Sequence, residues 1–166
     1  VREEVTKLLL SPEPEQLETA RQTGMTAVIL PEADRIGEKL PEVFRGLRWI
    51  REQFAGTDIE RTALSYAMLL REAEEAKQTL KRLKFDNDTI ALVSVLTARK
   101  DTVYPEQKPF VRRLVNQIGS QKTELLLFFQ EALAQSREED RAVRLKNIRL
   151  GEKLFREIMD DGDCVT

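Results

Sequence analysis

Histidine, the side chain that most often acts as a general base or a metal ligand near neutral pH, is absent from this chain of 166 residues. Its absence excludes a Ser-His-Asp triad, a histidine general base and any histidine-based zinc site. The single cysteine, Cys164, also excludes an internal disulfide and cysteine zinc clusters. Any metal would therefore need carboxylate ligands alone, and the cysteine usage fits a reducing cytosol.

Arg112 and Arg113 are the residues whose type and position best fit the binding of phosphate groups. They lie opposite a predicted apolar helix face that includes Val111 and Leu114. Guanidinium groups hold phosphates bidentately, and they fix position without reading a sequence. Because the net charge is −2, attraction to nucleic acid would have to come from such local basic faces. Further cations flank the preceding loop and could extend the surface: Arg99, Lys100 and Lys108.

Arg112 and Arg113, like the other basic residues, admit both a functional and a purely structural interpretation. The last predicted helix carries the cluster Arg141, Arg144, Lys146 and Arg149, and the middle of the chain carries Lys81, Arg82 and Lys84. Such residues usually solvate a helix face and pair with glutamate, and glutamate is abundant here. Tyr104 could stack on a base, but an aromatic side chain in a proline-containing loop more often packs locally.

Composition places the chain among globular helical proteins. It is 41% hydrophobic and 34% charged, which is too apolar for disorder and too charged for a membrane protein. The longest apolar run, Leu125–Phe129, is far shorter than the roughly 20 residues that span a bilayer. No secretory signal opens the sequence, and we expect a cytoplasmic protein. A helical pattern already present at residue 1 indicates a piece of a longer protein.

Apolar periodicity predicts an all-α fold of about eight helices. Ser11 and Pro12 fit the start of a helix that ends at Gly24, and a short buried helix follows over 25–30. Residues 31–57 allow only short helices, around 42–54, with Trp49, Ile50 and Phe54 buried. Thr57 and Glu60 have capping-box spacing and start a long helix that could extend to Leu83.

The central segment Arg82–Ile90 is predicted as a corner between two helices, with Asn87 and Asp88 capping the second. That second helix is expected over about 88–99, and the next apolar stripe covers 110–118. A helix over 121–135 is apolar nearly all round and should lie in the core. Ser136–Glu139 resembles a second capping box and would open the last helix. The inward residues predicted for that helix are Leu145, Ile148, Phe155, Ile158 and Met159.

Taken in order, several segments resemble the C-terminal part of bacterial CCA-adding enzymes, the tRNA nucleotidyltransferases of the poly(A) polymerase-like class. The central Arg82–Ile90, read RLKFDNDTI, is similar to that family's "RLKFDN" segment. The other similar segments are Lys7–Pro12, Gly24–Met25, Ile29–Glu32, Phe110–Gly119, Ala134–Ser136 and Asp163–Thr166. Each match is short, but all share the family's order and approximate spacing.

The resemblance implies an elongated helical body of the class II nucleotidyltransferase type, without its catalytic part. In that family, catalysis belongs to an N-terminal head whose strand-borne Asp-x-Asp holds Mg²⁺, with CTP or ATP selected in the neck. Asp86-Asn87-Asp88 and Asp161-Gly162-Asp163 match Asp-x-Asp as strings, but neither follows a strand or a glycine-rich loop. We predict capping and turn roles for both, and no catalytic residue, metal or cofactor in this chain.

Many relatives also carry a metal-binding His-Asp phosphohydrolase motif in the body. At the corresponding places this chain has Arg71-Glu72 and Lys100-Asp101. An ammonium or guanidinium group cannot bind a metal cation, so we expect no phosphohydrolase activity.

By this resemblance, the chain is a non-catalytic region that docks the acceptor–TΨC half of tRNA by shape and phosphates. Its expected parts are the end of the neck and start of the body (1–57), the central body (58–135) and the start of the tail (136–166). Whether the parent enzyme adds CCA, CC, A or poly(A) stays open. The alternative is a helical protein-interaction or regulatory module whose RNA binding has lapsed, and a protein partner or homodimer fits either reading. The predicted RNA-binding residues are Arg112, Arg113, Lys100, Arg99, Lys108, Lys84 and Arg82.

Overall fold

Every regular element in the described part of the chain is an α-helix, as the apolar periodicity predicts. The computed structural model describes residues 2–10, 39–71 and 73–161. Within these ranges the helices are α1 (Arg2–Leu10), α2 (Leu40–Gln53), α3 (Asp58–Leu70), α4 (Ala73–Arg82), α5 (Asn87–Ala98), α6 (Lys108–Ile118), α7 (Ser120–Ser136) and α8 (Arg141–Asp161). The all-α prediction of about eight helices is confirmed.

Helix α3 is the centre of the first of two compact units, which lies within Val1–Ala98. It begins at the predicted capping box: Thr57 Oγ1 accepts a hydrogen bond from Glu60 N, and Thr57 N donates to Glu60 Oε1. All eight residues from Ala63 to Leu70 are buried, because α1, α2, α4 and α5 pack around this helix. Burial on every side explains its almost continuous apolar sequence.

The prediction that the helix starting after Thr57 could extend to Leu83 is wrong, since α3 ends at Leu70 and α4 begins at Ala73. Arg71 terminates α3 in a left-handed conformation (φ 59°), while its backbone N–H still donates to Ala67 O. Its buried guanidinium donates to Met68 O and to Glu42 Oε2 on α2, at 3.1 and 3.3 Å. The contact with Glu42 is tertiary, and it overrides a local sequence rich in helix-forming residues.

The corner between α4 and α5 is present, but its capping residue differs from the prediction. Asp86, rather than Asn87 or Asp88, is the N-cap: its carboxylate accepts hydrogen bonds from Thr89 N and Thr89 Oγ1, at 3.0 and 2.7 Å. Upstream, Lys84 has φ 63°, and its backbone N–H donates to Lys81 O, while the backbone N–H of Phe85 donates to Leu80 O. This bond pair is a Schellman motif, with lysine in the position that usually holds glycine.

The second unit, within Arg99–Thr166, consists of α6, α7 and α8 in mutual contact. Helix α7 lies in its core, as predicted, with Leu125, Leu126, Phe129 and Ala132 each at most 3% exposed. Gly119 (φ 89°) separates α6 from α7.

Two details of the last helix differ from the prediction. Ser136 does not cap α8, because it is the final residue of α7 and its hydroxyl donates to Leu133 O. Met159 is exposed, whereas Leu145, Ile148, Phe155 and Ile158 are buried as expected. Helix α8 starts only at Arg141, five residues after the end of α7. Met159 lies at the rim of the buried face of α8.

Several predictions concern residues outside the described ranges: the helix starting at Ser11 and Pro12, the apolar run 25–30, and the terminal Gly162–Thr166. The proposed parts 1–57, 58–135 and 136–166 refer to family regions and stay a prediction. None of the helices in the described ranges has both the length and the apolar character required to cross a bilayer.

Candidate functional site

Helix α6 carries the predicted arginine pair, of which only Arg113 lies fully on the side away from the core contacts. Pro109 occupies its first turn, where a missing N–H costs nothing, and Val111, Leu114 and Val115 are buried. Arg113 is exposed, together with Asn116 and Gln117, and Arg112 is half-buried. The amphipathic pattern thus places Arg113 in solvent, whereas Arg112 is partly covered by neighbouring groups.

Lys100, at the start of the neighbouring loop, and Lys108, the first residue of α6, lie close to carboxylates. Lys100 Nζ lies 3.6 Å from Asp101 Oδ2. Lys108 Nζ lies 3.3 Å from Asp161 Oδ2 and 3.5 Å from Glu157 Oε2, both on α8. The hydrogen bond to Asp161 raises the pKa of Lys108 above its usual value. These pairs reduce the positive potential that the loop presents to an anion.

The predicted site residues are divided between the two units. Arg82 and Lys84 belong to the first unit, where both are exposed, and Lys84 holds the left-handed position of the Schellman motif. The second unit contains the other five: Arg99, Lys100, Lys108, Arg112 and Arg113.

Tyr104 has a packing role, as the structural interpretation of this residue expected, but its partners are distant in sequence rather than local. It is 1% exposed, and its hydroxyl donates to Gln130 Oε1 at 2.6 Å. Its backbone N–H and C=O bond the side-chain amide of Asn147, both at 2.8 Å. Burial, and then the nearby Glu152 carboxylate, raise the pKa of Tyr104. The ring is therefore unavailable to stack on a base.

The two positions that the family resemblance would align with His-Asp pairs hold basic side chains with internal partners. Arg71 is buried and paired with Glu42, and Lys100 is paired with Asp101. In the Asp-x-Asp strings, Asp86 caps α5 and Asp161 binds Lys108. Gly162 and Asp163 lie outside the described residues. Throughout the described ranges, no group of three or more metal-binding side chains is arranged to hold an ion.

The outer face of α8 carries more basic residues than the sequence interpretation selected. Of the four predicted cluster members, Arg144, Lys146 and Arg149 are exposed, while Arg141 is half-buried and donates to Arg137 O. Lys153 and Arg156, which the prediction omitted, are also exposed. Their spacing from Lys146 and Arg149 is the signal that could have identified them, because residues three and four apart share a helix face.

A groove of about 570 Å³ runs between α7 and α8. Leu127, Phe128 and Phe155 contribute apolar surface, and Glu131 and Glu152 contribute acidic groups. Burial and then the neighbouring Glu131 carboxylate raise the pKa of Glu152, and this increase exceeds the opposing effects of Arg156 and Arg149.

Comparison with known proteins gives one partial match. Residues 1–36 match a family model described as "Probable RNA and SrmB- binding site of polymerase A". Of this segment the structure describes α1, whose last carbonyl, Leu10 O, accepts a hydrogen bond from Arg51 of α2 at 2.7 Å. No curated protein and no solved structure matches the chain. The match covers a minor part of the sequence and supports a link to poly(A) polymerase-like proteins.

Proposed function

We propose that this chain is a non-catalytic RNA-docking region of a protein of the poly(A) polymerase and tRNA nucleotidyltransferase class. The RNA that it binds in this proposal is tRNA. The observation that carries the proposal is the match of residues 1–36 to the RNA-binding family model. The ordered motif resemblance along the rest of the chain supports the finer assignment to tRNA. In this proposal, nucleotidyl transfer from CTP or ATP with Mg²⁺ belongs to a head domain encoded elsewhere in the protein.

Helix α6 and the first unit supply the features that would make docking work. Arg113 is exposed on a helix whose other side is fixed in the core, so its guanidinium is carried on a rigid support. Helix α1, which belongs to the matched segment, is bound to the other helices of the first unit through Arg51 and through the Thr6–Tyr66 hydroxyl pair at 2.8 Å. Phosphate contacts on such supports recognise RNA shape without reading sequence.

The proposal is tested by measuring the binding of a tRNA transcript to the full chain. Fluorescence anisotropy gives the association constant K over a range of salt concentrations. We expect log K to fall linearly with log salt. The variant Arg112→Ala/Arg113→Ala should bind about tenfold or more weakly, with a slope smaller by about 1.4–1.8. The charge-matched control Lys39→Ala/Lys77→Ala, at exposed positions of the first unit, should bind like the wild type. Absent or salt-independent tRNA binding would overturn the proposal.

The second candidate is a protein-interaction module, and two observations favour it. The matched family model names a protein, SrmB, beside RNA, and the cations Lys100 and Lys108 are paired internally. Titration of purified SrmB onto the chain separates the candidates. Saturable SrmB binding that survives Arg112→Ala/Arg113→Ala, in a chain that does not bind tRNA, would select this second function.

A further inference from the structure

The outward face of α8 carries a straight row of cations, Lys146, Arg149, Lys153 and Arg156, which we name the outer basic row. Steps of three, four and three residues keep all four on one face of the helix, and all four are exposed. At 1.5 Å per residue, the row extends over about 15 Å. The opposite face, which includes Ile148, Gly151 and Phe155, is buried and fixes the orientation of the row.

Two of the four acidic residues of the same helix are engaged with another helix, while Asp160 is exposed beside Arg156 at the end of the row. Glu157 and Asp161 pair with Lys108 of α6, at 3.5 and 3.3 Å. Glu152 lies half-buried in the groove, and burial and the neighbouring Glu131 carboxylate raise its pKa. The positive charges of Arg149 and Arg156 lower the pKa of Glu152, but burial and Glu131 raise it by more. The tertiary contacts of α8 thus engage Glu157 and Asp161 with Lys108, and the row keeps four cations against the two remaining carboxylates of the helix, Glu152 and Asp160.

Like charges three and four residues apart repel one another along a helix. An anion with several charges at matching intervals would relieve this repulsion at every step of the row. The phosphate backbone of RNA is such an anion, and arginine guanidinium groups bind phosphate oxygens through a fixed pair of donors.

We propose that the outer basic row binds the phosphate backbone of RNA without sequence preference. The inference deepens the proposed function and rests on it, because it assigns a second contact surface for the same ligand. Sequence independence follows from the composition of this face. Its exposed neighbours Ala142 and Asp160 include no aromatic side chain for base stacking and no amide for base-edge hydrogen bonds.

The test compares two double variants with wild type in binding to a tRNA transcript and to a short RNA duplex. Lys146→Gln/Lys153→Gln and Arg149→Gln/Arg156→Gln should each weaken binding to both RNAs. Each pair should reduce the slope of log K against log salt by about 1.4–1.8, and the combined variant by about 3. The matched control is Lys39→Gln/Lys77→Gln, which changes net charge equally at exposed sites of the first unit and should leave the slope unchanged. Circular dichroism verifies that each variant is folded.

The outcomes separate this inference from the proposed function. If wild type binds tRNA and Arg112→Ala/Arg113→Ala weakens it while both row variants bind normally, the row is not a contact and only this inference is overturned. If wild type binds neither RNA, both proposals fall. Wild-type binding to phosphatidylserine vesicles without binding to the duplex would overturn the assignment to RNA. A loss that depends on RNA sequence would contradict the backbone mode.

Discussion

The corner Arg82–Ile90 and the loop Arg99–Gln107 each connect two consecutive helices, but they are held by different kinds of contact. The corner is closed by hydrogen bonds among its near neighbours, through the Schellman motif and the Asp86 cap. The loop is held by two amides distant in sequence, Gln130 of α7 and Asn147 of α8. Gln130 accepts from Tyr104 and donates to Lys100 O and Thr102 O, at 3.2 and 2.9 Å. The corner can therefore be understood from adjacent residues, and the loop only from the folded unit.

The largest expected effect comes from removing the amide that holds the loop. Gln130→Leu leaves the Tyr104 hydroxyl and the backbone carbonyls of Lys100 and Thr102 without this partner in a buried site. Because a buried unsatisfied polar group costs about 1–3 kcal/mol, we expect a loss of about 3 kcal/mol or more in the free energy of unfolding. Urea denaturation followed by circular dichroism measures it. The same substitution at exposed Gln117 should change stability by less than about 0.5 kcal/mol. Equal effects at the two sites would contradict this account of the loop.

Gly151→Ala tests how tightly the loop packs on α8. Helix propensity alone favours alanine by about 1 kcal/mol. In the structure, however, a Cβ atom at Gly151 would lie 2.8 Å from ring atoms of Tyr104, whose hydroxyl and backbone are both held. We expect a net loss of about 1–3 kcal/mol, measured as a lower midpoint of urea unfolding.

Gly46→Ala is the matched glycine substitution in a helix of the first unit. There the new Cβ would meet the Sδ and Cε atoms of Met68, at 2.5 and 2.6 Å, near the end of a flexible side chain. A smaller loss than at Gly151 is expected. If Gly151→Ala stabilises the protein, Tyr104 does not pack against α8 as described.

Within the corner, Asp86→Ala removes the N-cap of α5 and should cost about 1–2 kcal/mol. Asp88→Ala is the matched control, since this exposed carboxylate lies in the first turn, near the positive end of the helix dipole. We expect this substitution to cost only about 0.3 kcal/mol. Thermal unfolding of both variants measures the difference. The opposite ranking would restore the sequence-based prediction that Asp88 is the cap.

The smallest effect is expected from Lys84→Gly. A non-glycine residue in the left-handed region costs about 1–2 kcal/mol, and glycine removes that cost while adding entropy to the unfolded chain. We expect a net stabilisation below about 1 kcal/mol, seen as a small rise in melting temperature. Lys81→Gly, inside α4, should instead destabilise by about 1 kcal/mol. If both variants are destabilised equally, the lysine conformation carries no strain.

Local sequence signals predicted the helix content and several boundaries. The Thr57–Glu60 capping box, the burial of α7 and the existence of the Arg82–Ile90 corner depend on neighbouring residues, so the sequence contains the needed information. The break at Arg71 was missed because its cause is the contact with Glu42, 29 positions away. The role of Ser136 was missed because a capping-box spacing cannot show whether the preceding helix has already ended.

The candidate site divides in the same way. Sequence alone determined that histidine chemistry is excluded and that Arg113 lies on a polar helix face, since composition and helical period are local properties. Only the tertiary structure decided which cations are neutralised. Lys108 is paired with two carboxylates of α8 that lie about 50 positions later in the sequence, while the outer basic row remains exposed. Electrostatic pairing depends on distance in space, and that distance is set by how α6, α7 and α8 pack.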